Sequence, residues 1–172
     1  TPEELNPRNT AERKNDECLA FFSRGSPFSN FHDAPFVKDQ VRYSCSEQFI
    51  QSKKAEIFND DETKEKILKT QDPYEMKALG NYVDGFVVQL WIKEAEKIAE
   101  EACLAKFSQN RDLLEILCET EQRKLGEATT DPFWGVGLTL NNDKLLTATW
   151  TGKNTMGTIL MKIREQLKHL CE

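Results

Sequence analysis

An acid and an amine lie seven residues apart in the stretch 44–58, at a spacing that places both on one side of a helix. On a helical wheel at about 100° per residue, Glu47 and Lys54 fall on one arc. The other members of that arc are Ile50, Gln51, Ile57 and Phe58. Seven residues correspond to about 10 Å along a helix axis, which is too far for a direct i,i+4 ion pair but lets both side chains reach one ligand between them.

Glu47, Gln51 and Lys54 lie among apolar residues on the arc that should turn inward, and burying such polar groups is costly unless they are paired or hydrogen-bonded. In the functional interpretation, this arc lines a polar cavity in which a ligand completes the hydrogen bonds.

The same residues also have a purely structural interpretation. Ser44 and Glu47 match the S-x-x-E capping box that begins many helices, although Ser46 is a competing cap. Lys54 would then extend its stem past the edge of the core and keep its ammonium in water. The sequence leaves both interpretations open.

A loop at residues 24–35 carries aromatic residues among small polar ones, which is unusual because loops cross the surface and are usually polar. In the functional interpretation, Phe31 stacks on a planar ligand group while Ser29 and Asn30 hydrogen-bond to it. In the structural alternative, Phe28 and Phe31 pin the loop to the core.

A second aromatic loop, residues 130–137, contains glycines that would let its backbone approach a ligand closely. Its GxG sequence is too short for a dinucleotide-binding fingerprint. Further along, Asn154 is a natural N-cap for the last helix, whose glycine-flanked start would also suit an anion such as phosphate. Trp91 is either a core residue of the longest helix or a stacking surface.

Periodicity and capping residues predict the elements that position these side chains. Helices are expected over 44–58, from Asp60 or Asp61 to Lys69, from Pro73 with Asp72 as its cap to Gly80, from Phe86 to Phe107, from Arg111 to Cys118 and after Asn154. Strands are expected at Cys18–Phe22, in a hairpin of residues 36–37 and 41–43, at Lys124–Thr129 and at Leu145–Trp150. The lysines between 53 and 69 alternate with glutamates and are expected to form a solvated face.

Length and composition restrict the class of protein. With 172 residues and a net charge of −6, the chain can bury one core and is a poor candidate for broad, sequence-independent nucleic-acid binding. Residues 1–16 are expected to be a flexible N-terminal tail, followed by one domain at residues 17–172. The sequence has neither an apolar run of about 18 residues nor a signal-like N-terminal segment, so no membrane partner is expected.

The cysteine and histidine content bears on compartment and metals. The five cysteines are odd in number and form no CxxC pair, which favours free thiols in a reducing compartment, the cytoplasm or alternatively the nucleus. With only two histidines, a metal site would need scattered ligands, so no metal is expected.

A series of motifs in chain order resembles the NADAR superfamily. The motifs are Ser26–Phe31, Ser46–Gln48 with Gln51 and Lys54–Ala55, Lys77–Gly80, Trp91, Lys106–Phe107, Leu125–Ala128, Asp131–Gly137, Trp150–Asn154, and Gly157, Leu160 and Arg164. Only about the first 16 residues lie outside the resemblance. Some relatives carry histidine at the position of Gln48, so a mechanism that needs a histidine beside the glutamate does not transfer to this chain.

The resemblance implies a single compact, mainly helical α+β domain with a small β-sheet that breaks N-glycosidic bonds in ADP-ribose-type molecules. One branch of the family removes ADP-ribose from modified guanine in nucleotides, DNA or RNA, and the loops here are more similar to that branch. Another branch cleaves the ribosyl–amine bond of riboflavin-pathway intermediates, and we expect no fused riboflavin-synthesis domain here. A non-catalytic ADP-ribose-binding module is the competing class.

With the resemblance added, Lys54 is the expected nucleophile and Glu47 the general acid/base. Breaking a bond from ribose C1 to a nitrogen builds positive charge on the sugar, so a nearby carboxylate stabilises the transition state and a protonated group assists departure of the base. A lysine beside a ribose that opens to its aldehyde can form an imine if its pKa is depressed, and the apolar neighbours of Lys54 could lower that pKa by desolvation. Asp131 is expected to be a second carboxylate that orients the ribose or a water. The expected substrate-binding residues are Ser29, Asn30, Phe31, Gln51, Trp91, Trp134, Gly135 and Asn154. The resemblance supports a covalent route through an imine between Lys54 and ribose C1, with no cofactor and an ADP-ribose-containing substrate as the partner.

Overall fold

The protein has an α+β fold in which helices predominate. The structure, a computed structural model, describes residues 1–4 and 10–172. Its strands are β1 (Glu12–Lys14), β2 (Cys18–Phe21), β3 (Phe36–Lys38), β4 (Val41–Tyr43) and β5 (Lys124–Glu127). Its α-helices are α1 (Ser46–Ile57), α2 (Asp61–Lys69), α3 (Pro73–Gly80), α4 (Val88–Gln109), α5 (Arg111–Glu119) and α6 (Thr155–Leu167), followed by a 3₁₀ turn at Lys168–Leu170.

The chain divides into two units, which we describe separately. The central unit is Asp33–Asn110, and the terminal unit combines Thr1–His32 with Arg111–Glu172. The central unit contains β3, β4 and helices α1 to α4. The terminal unit contains the other three strands, helices α5 and α6, the second aromatic loop and the first aromatic loop up to His32.

The hairpin of the central unit forms as the sequence predicts. Strands β3 and β4 pair antiparallel, with Phe36 opposite Tyr43. The connecting residues Asp39 and Gln40 both have positive φ angles, of 50° and 67°, as a tight hairpin turn requires. Phe49 of α1 packs against this hairpin, with its ring 5.0 Å from that of Tyr43, and thereby anchors the helix that carries Glu47 and Lys54.

The start of α1 differs from the predicted capping box. The N-cap of α1 is Cys45, which makes no side-chain cap hydrogen bond. The backbone N–H of Ser44, one residue earlier, donates to Oε1 of Gln48 at 2.8 Å, so Gln48 rather than Glu47 reaches back along the chain. The Gln48 amide also donates to backbone carbonyls at the end of α2, at 3.0 Å to Ile67 and 3.1 Å to Thr70. The capping-box prediction is therefore wrong. The Gln48 amide has both an acceptor and a donor, so it bonds to Ser44 and to the end of α2 at once. The Glu47 carboxyl is left for other partners.

Helices α2 and α3 begin at the predicted caps. The Asp60 side chain accepts the N–H of Thr63 at 3.1 Å, and the Asp72 side chain accepts the N–H of Tyr74 at 3.0 Å. Pro73 occupies the first turn of α3, where its missing N–H costs no hydrogen bond. Both helices pack on α1.

The lysine-rich segment forms the predicted solvated face. Its ion pairs are Lys53–Glu56, Lys64–Glu56, Lys66–Glu62 and Lys69–Glu65. Lys54 is the exception in this segment, because only 8% of it is exposed.

The terminal unit is built on a three-stranded sheet in the order β1-β2-β5. Strand β2 is the middle strand, and all four of its residues are buried, as its apolar sequence predicts. It runs parallel to β5 and antiparallel to β1. The prediction of a tail over residues 1–16 is wrong for β1, whose Arg13 donates to the carbonyls of Leu140 and Asn142. The part of that prediction that covers residues 5–9 lies outside the described residues.

The predicted strand at Leu145–Trp150 is wrong, because the segment forms successive turns. The N–H of Leu145 donates to the carbonyl of Asn142, and the N–H of Ala148 donates to that of Lys144. The side chain of Asn142 also accepts the N–H of Lys144 at 2.9 Å, which stabilises the first turn locally. Leu145 and Leu146 are buried from this turn, so their apolar character reflects packing rather than strand pairing.

The prediction that all cysteines are free thiols is wrong for one pair. Cys118 of α5 and Cys171 near the C-terminus form a disulfide. The remaining cysteines, Cys18, Cys45 and Cys103, lie outside this disulfide and are buried. Within residues 1–4 and 10–172, no helix combines the length and the apolar character needed to cross a membrane.

Candidate functional site

Glu47 is a buried carboxyl on the inward face of α1. It is 7% exposed, and its Oε1 accepts a hydrogen bond of 2.8 Å from the Gln51 amide one turn later. Burial raises the pKa of Glu47, and the hydrogen bond from Gln51 and the charges of Lys77 and Lys54 oppose that rise. A carboxyl with a raised pKa can carry a proton nearer neutral pH, which suits it to act as an acid.

Lys54 lies two turns further along the same face and is also buried. Its ammonium nitrogen is 4.5 Å from the ring centroid of Phe86 and 5.7 Å from that of Trp91. Burial lowers the pKa of Lys54, and the charge of Glu47 opposes that lowering. The interpretation that Lys54 extends into water is therefore wrong, and the depressed pKa is the property that an imine-forming lysine needs.

Phe86 is a site residue that the sequence analysis missed. It is 42% exposed, it follows Gly85, whose φ is +70°, and its ring meets that of Phe58 edge-on at 5.3 Å. The Lys54 ammonium lies over this ring, so a partly exposed aromatic residue contacts the buried amine. The sequence signal was the Gly85-Phe86 pair just before the longest helix, which the periodicity argument used only as a helix start.

Trp91 belongs to the same group of side chains. It is 9% exposed, so the core assignment holds, and its ring is also near the Lys54 ammonium. Whether it stacks on a ligand stays a prediction.

Gln51 is held between the acid and the end of α3. A Cβ added to Gly80 would overlap the Gln51 amide, so the glycine provides the space that this side chain occupies. The Gln51 Oε1 atom is buried and has no hydrogen-bond partner within the described residues. One end of the amide therefore bonds to Glu47, and the other end lies beside Gly80.

Lys106 is a second buried lysine, and the sequence analysis noted it only as part of a motif. It is 1% exposed, and burial lowers its pKa to about 8, with the thiols of Cys103 and Cys45 opposing the change. Its position three residues after the buried Cys103 and beside Phe107 would have placed it on the inward face of α4. Its enclosure separates it from any substrate, whereas its depressed pKa makes it a rival to Lys54 in any chemical labelling experiment.

In the first loop of the terminal unit, the predicted contact residues shape the loop itself. The hydroxyl of Ser29 accepts the N–H of Phe31 at 3.1 Å, and the Asn30 amide donates to the sulfur of Met156 at 3.3 Å. Phe28 is 1% exposed and packs its ring 5.9 Å from that of Phe21, so this aromatic pins the loop to the core. Ligand contacts by Ser29, Asn30 and Phe31 stay predictions.

In the second loop, Asp131 has a structural task. Its Oδ1 accepts the backbone N–H groups of Phe133 at 2.9 Å and Trp134 at 3.0 Å, and the residue is exposed. Position 135 needs glycine, because a Cβ there would overlap Thr129. The predicted role of Asp131 toward a ribose or a water stays a prediction, as do the ligand contacts of Trp134 and Gly135.

The start of α6 is organised differently from the prediction. Asn154 occupies the N-cap position with φ +55°, and its amide donates to the carbonyl of Leu125 at 2.9 Å instead of capping the helix. The backbone N–H groups of Asn154, Thr155 and Met156 donate to carbonyls of the second loop. These donors are therefore already used, which removes the reason to expect a phosphate at this helix start.

The predicted site residues thus divide between the two units. In the central unit, α1 brings Glu47, Gln51 and Lys54 together, with Trp91 beside the amine. In the terminal unit, Asp131, Trp134, Gly135 and Asn154 share one hydrogen-bonded loop and helix start. Within the described ranges, no three His, Cys, Asp or Glu side chains are grouped as metal ligands would be.

Comparison with known proteins finds a family and several relatives. The model of the family described as NADAR domain matches residues 13–168. A protein of Acanthamoeba polyphaga mimivirus named as an N-glycosidase is 35% identical, over 89% of this chain and 91% of that protein. Protein irg-1 of Caenorhabditis elegans is 33% identical, over 91% and 82% respectively.

A bacterial relative is similar in both sequence and structure. N-glycosidase YbiA of Escherichia coli strain K12 is 31% identical, over 88% of this chain and 89% of that protein. The NMR structure of the E. coli protein YbiA matches this fold with a TM-score of 0.72 at 28% identity, over 94% of this chain and 90% of that chain. Since the family model and these relatives each cover most of the sequence, the chain belongs to the NADAR domain family.

Proposed function

We propose that the protein is an N-glycosidase that removes ADP-ribose from ADP-ribosylated guanine, with Lys54 as nucleophile and Glu47 as general acid/base. The observation that carries the proposal is the burial of an acid and an amine on one face of α1, at 7% and 8% exposure. Relatives named N-glycosidase support the reaction class. The guanine-linked substrate is our choice between the branches of the family, made on the resemblance of the loops.

The proposed reaction begins with the neutral amine of Lys54. It attacks ribose C1 as the bond from C1 to the guanine nitrogen breaks, and the electron pair of that bond leaves with guanine. Glu47 in its acid form gives its proton to the departing base, and as a carboxylate it then accepts a proton from the lysine nitrogen. Ring opening yields an imine, water adds to C1, and release of the Lys54 amine yields free ADP-ribose.

The environment of Lys54 suits this first step. Burial lowers the pKa of Lys54, which increases the fraction of neutral amine at physiological pH. The rings of Phe86 and Trp91 interact favourably with a cation, so they would also stabilise the iminium form of the intermediate.

The test is turnover of ADP-ribosylated guanosine, followed by chromatography of released guanosine. Lys54→Met should abolish release, while Lys53→Met, which alters the adjacent solvated lysine, should keep it. Borohydride reduction during turnover should leave a sugar on the peptide that contains Lys54 and not on the one that contains Lys106. An active Lys54→Met variant, or a sugar trapped on Lys106, would refute the assignment.

The same assay separates an enzyme from a binding module. A module would be stabilised by ADP-ribose in a thermal-shift measurement, since ligands that bind only the folded state raise its stability, yet it would release no guanosine at high protein concentration. That outcome would refute the proposed function.

A further inference from the structure

The end of α3 carries a feature that the proposed reaction does not use. Gly80 is buried, and a Cβ on this residue would overlap both the oxygen and the carbon of the Gln51 side-chain amide. The other end of the same amide donates to Oε1 of Glu47 at 2.8 Å. Gly80, Gln51 and Glu47 therefore form a continuous contact from one helix to the buried acid of another.

The contact determines which way the Gln51 amide faces. With its oxygen against Gly80, the amide presents its N–H to Glu47, and an N–H donor favours the ionised form of a carboxyl. A larger residue at position 80 would displace the amide and remove this donor from Glu47. The charged groups that act on Glu47 are Lys54 from α1 and Lys77 from α3, and neither is replaced by this change.

We propose that Gly80 is a positioning residue of the site, which acts on Glu47 through the Gln51 amide and so sets the protonation of the acid during turnover. This assignment rests on the proposed function. It also gives Gln51 a positioning role toward Glu47 in place of the predicted contact with substrate. The unpartnered Oε1 of Gln51 is consistent with that role, because the oxygen is enclosed beside the glycine.

The experiment is a cycle of Gly80→Ala, Gln51→Ala and the double variant. Each single change should move the alkaline limb of the kcat profile to higher pH, because that limb reports loss of the proton that Glu47 donates and each change removes an N–H donor that favours the carboxylate. On that limb, kcat should rise about tenfold, the effect of losing one hydrogen bond to a charged group. The double variant should match Gln51→Ala within about twofold, because without the amide the added methyl group has nothing to displace.

The cycle also covers the case in which Gly80→Ala misfolds. In the Gln51→Ala background the overlap is absent, so the double variant should fold, and its recovery of the fold would itself demonstrate contact through the amide. Independent effects that multiply in the double variant would overturn the proposal. A Gly80→Ala variant with an unchanged pH profile would overturn it as well.

A second readout needs no substrate. Carbon-13 NMR of the glutamate side-chain carboxyls, with the Glu47 signal identified by its loss in Glu47→Gln, should show Glu47 titrating at higher pH in Gly80→Ala. If the wild type fails to release guanosine but this titration shift is present, the proposed function fails and the positioning role stands. If guanosine is released but the titration is the same in both proteins, the positioning role fails alone.

Discussion

The buried Lys106 predicts an unusual pH dependence of stability. Burial lowers its pKa from the ordinary 10.5 to about 8 in the folded protein. Between these two values the unfolded chain binds more protons than the folded one, so the free energy of unfolding rises with pH across that range. At 1.36 kcal/mol per pKa unit, the full contribution is about 3 kcal/mol, which is unfavourable below pH 8 and absent above pH 10.5.

Lys106→Met is the perturbation that isolates this contribution. Methionine keeps much of the volume of the side chain but has no charge, so the variant lacks the rise with pH. Groups that do not interact with Lys106 titrate alike in both proteins and cancel in the difference. We expect the stability of Lys106→Met relative to wild type to fall by about 3 kcal/mol between pH 7 and pH 10.5.

The assay is urea denaturation of both proteins at several pH values, followed by circular dichroism. Only the change of the difference with pH is diagnostic, because any packing cost of methionine is the same at every pH. Lys53→Met is the control: burial lowers its pKa and the Glu56 ion pair raises it, and on balance it is raised. Stability from Lys53 is therefore present below pH 10.5 and lost only above it.

A constant difference between Lys106→Met and wild type from pH 7 to pH 10.5 would refute the reasoning. It would mean that the ammonium is as well stabilised inside the protein as in water. Such a result would also remove Lys106 as a rival nucleophile, since its amine would then be protonated at neutral pH.

Three further predictions concern single features of the structure. Glu47→Gln should lower kcat about 10²- to 10⁴-fold. Because the pKa of Glu47 is raised in the folded state, the wild type loses stability as the pH rises above 4.5. The variant should therefore become relatively more stable than the wild type at neutral pH, as measured by urea titration. Asp131→Ala should cost about 1 kcal/mol of stability because it loses the hydrogen bonds within the turn, whereas Asp131→Asn should keep them. An Asp131→Asn variant that releases guanosine at the full rate would show that the carboxylate charge is not needed. Reduction of Cys118–Cys171, which are 53 residues apart, should lower the free energy of unfolding by about 4 kcal/mol, measured by urea denaturation with and without reductant.

The sequence predicted the part of the site that depends on helical spacing. Glu47 and Lys54 were placed on one inward arc, and both are buried there. That prediction succeeded because α1 is a regular helix whose caps lie outside the site. The hairpin at β3–β4 and the Asp60 and Asp72 caps were also found, since each depends on residues close in the chain.

The sequence failed where a distant contact decided the structure. The amide of Gln48 bonds to Ser44 before α1 because carbonyls at the end of α2 hold its other end, and no local pattern reveals them. The segment that contains Leu145 and Leu146 was predicted as a strand because a buried turn, like a buried strand, is rich in apolar residues. Phe86 was missed because its contact with Lys54 joins residues 32 positions apart.

The hydrogen bond from Ser44 to Gln48 at the start of α1 has a practical consequence. Since the helix start does not depend on the neighbouring acid, that acid can be exchanged for its amide without loosening the first turn. A catalytically inactive variant that keeps its fold is the reagent needed to capture an uncleaved natural target from a cell extract. Because Gln48 and not Glu47 makes the contact with Ser44, one substitution at Glu47 is enough to make such a trap.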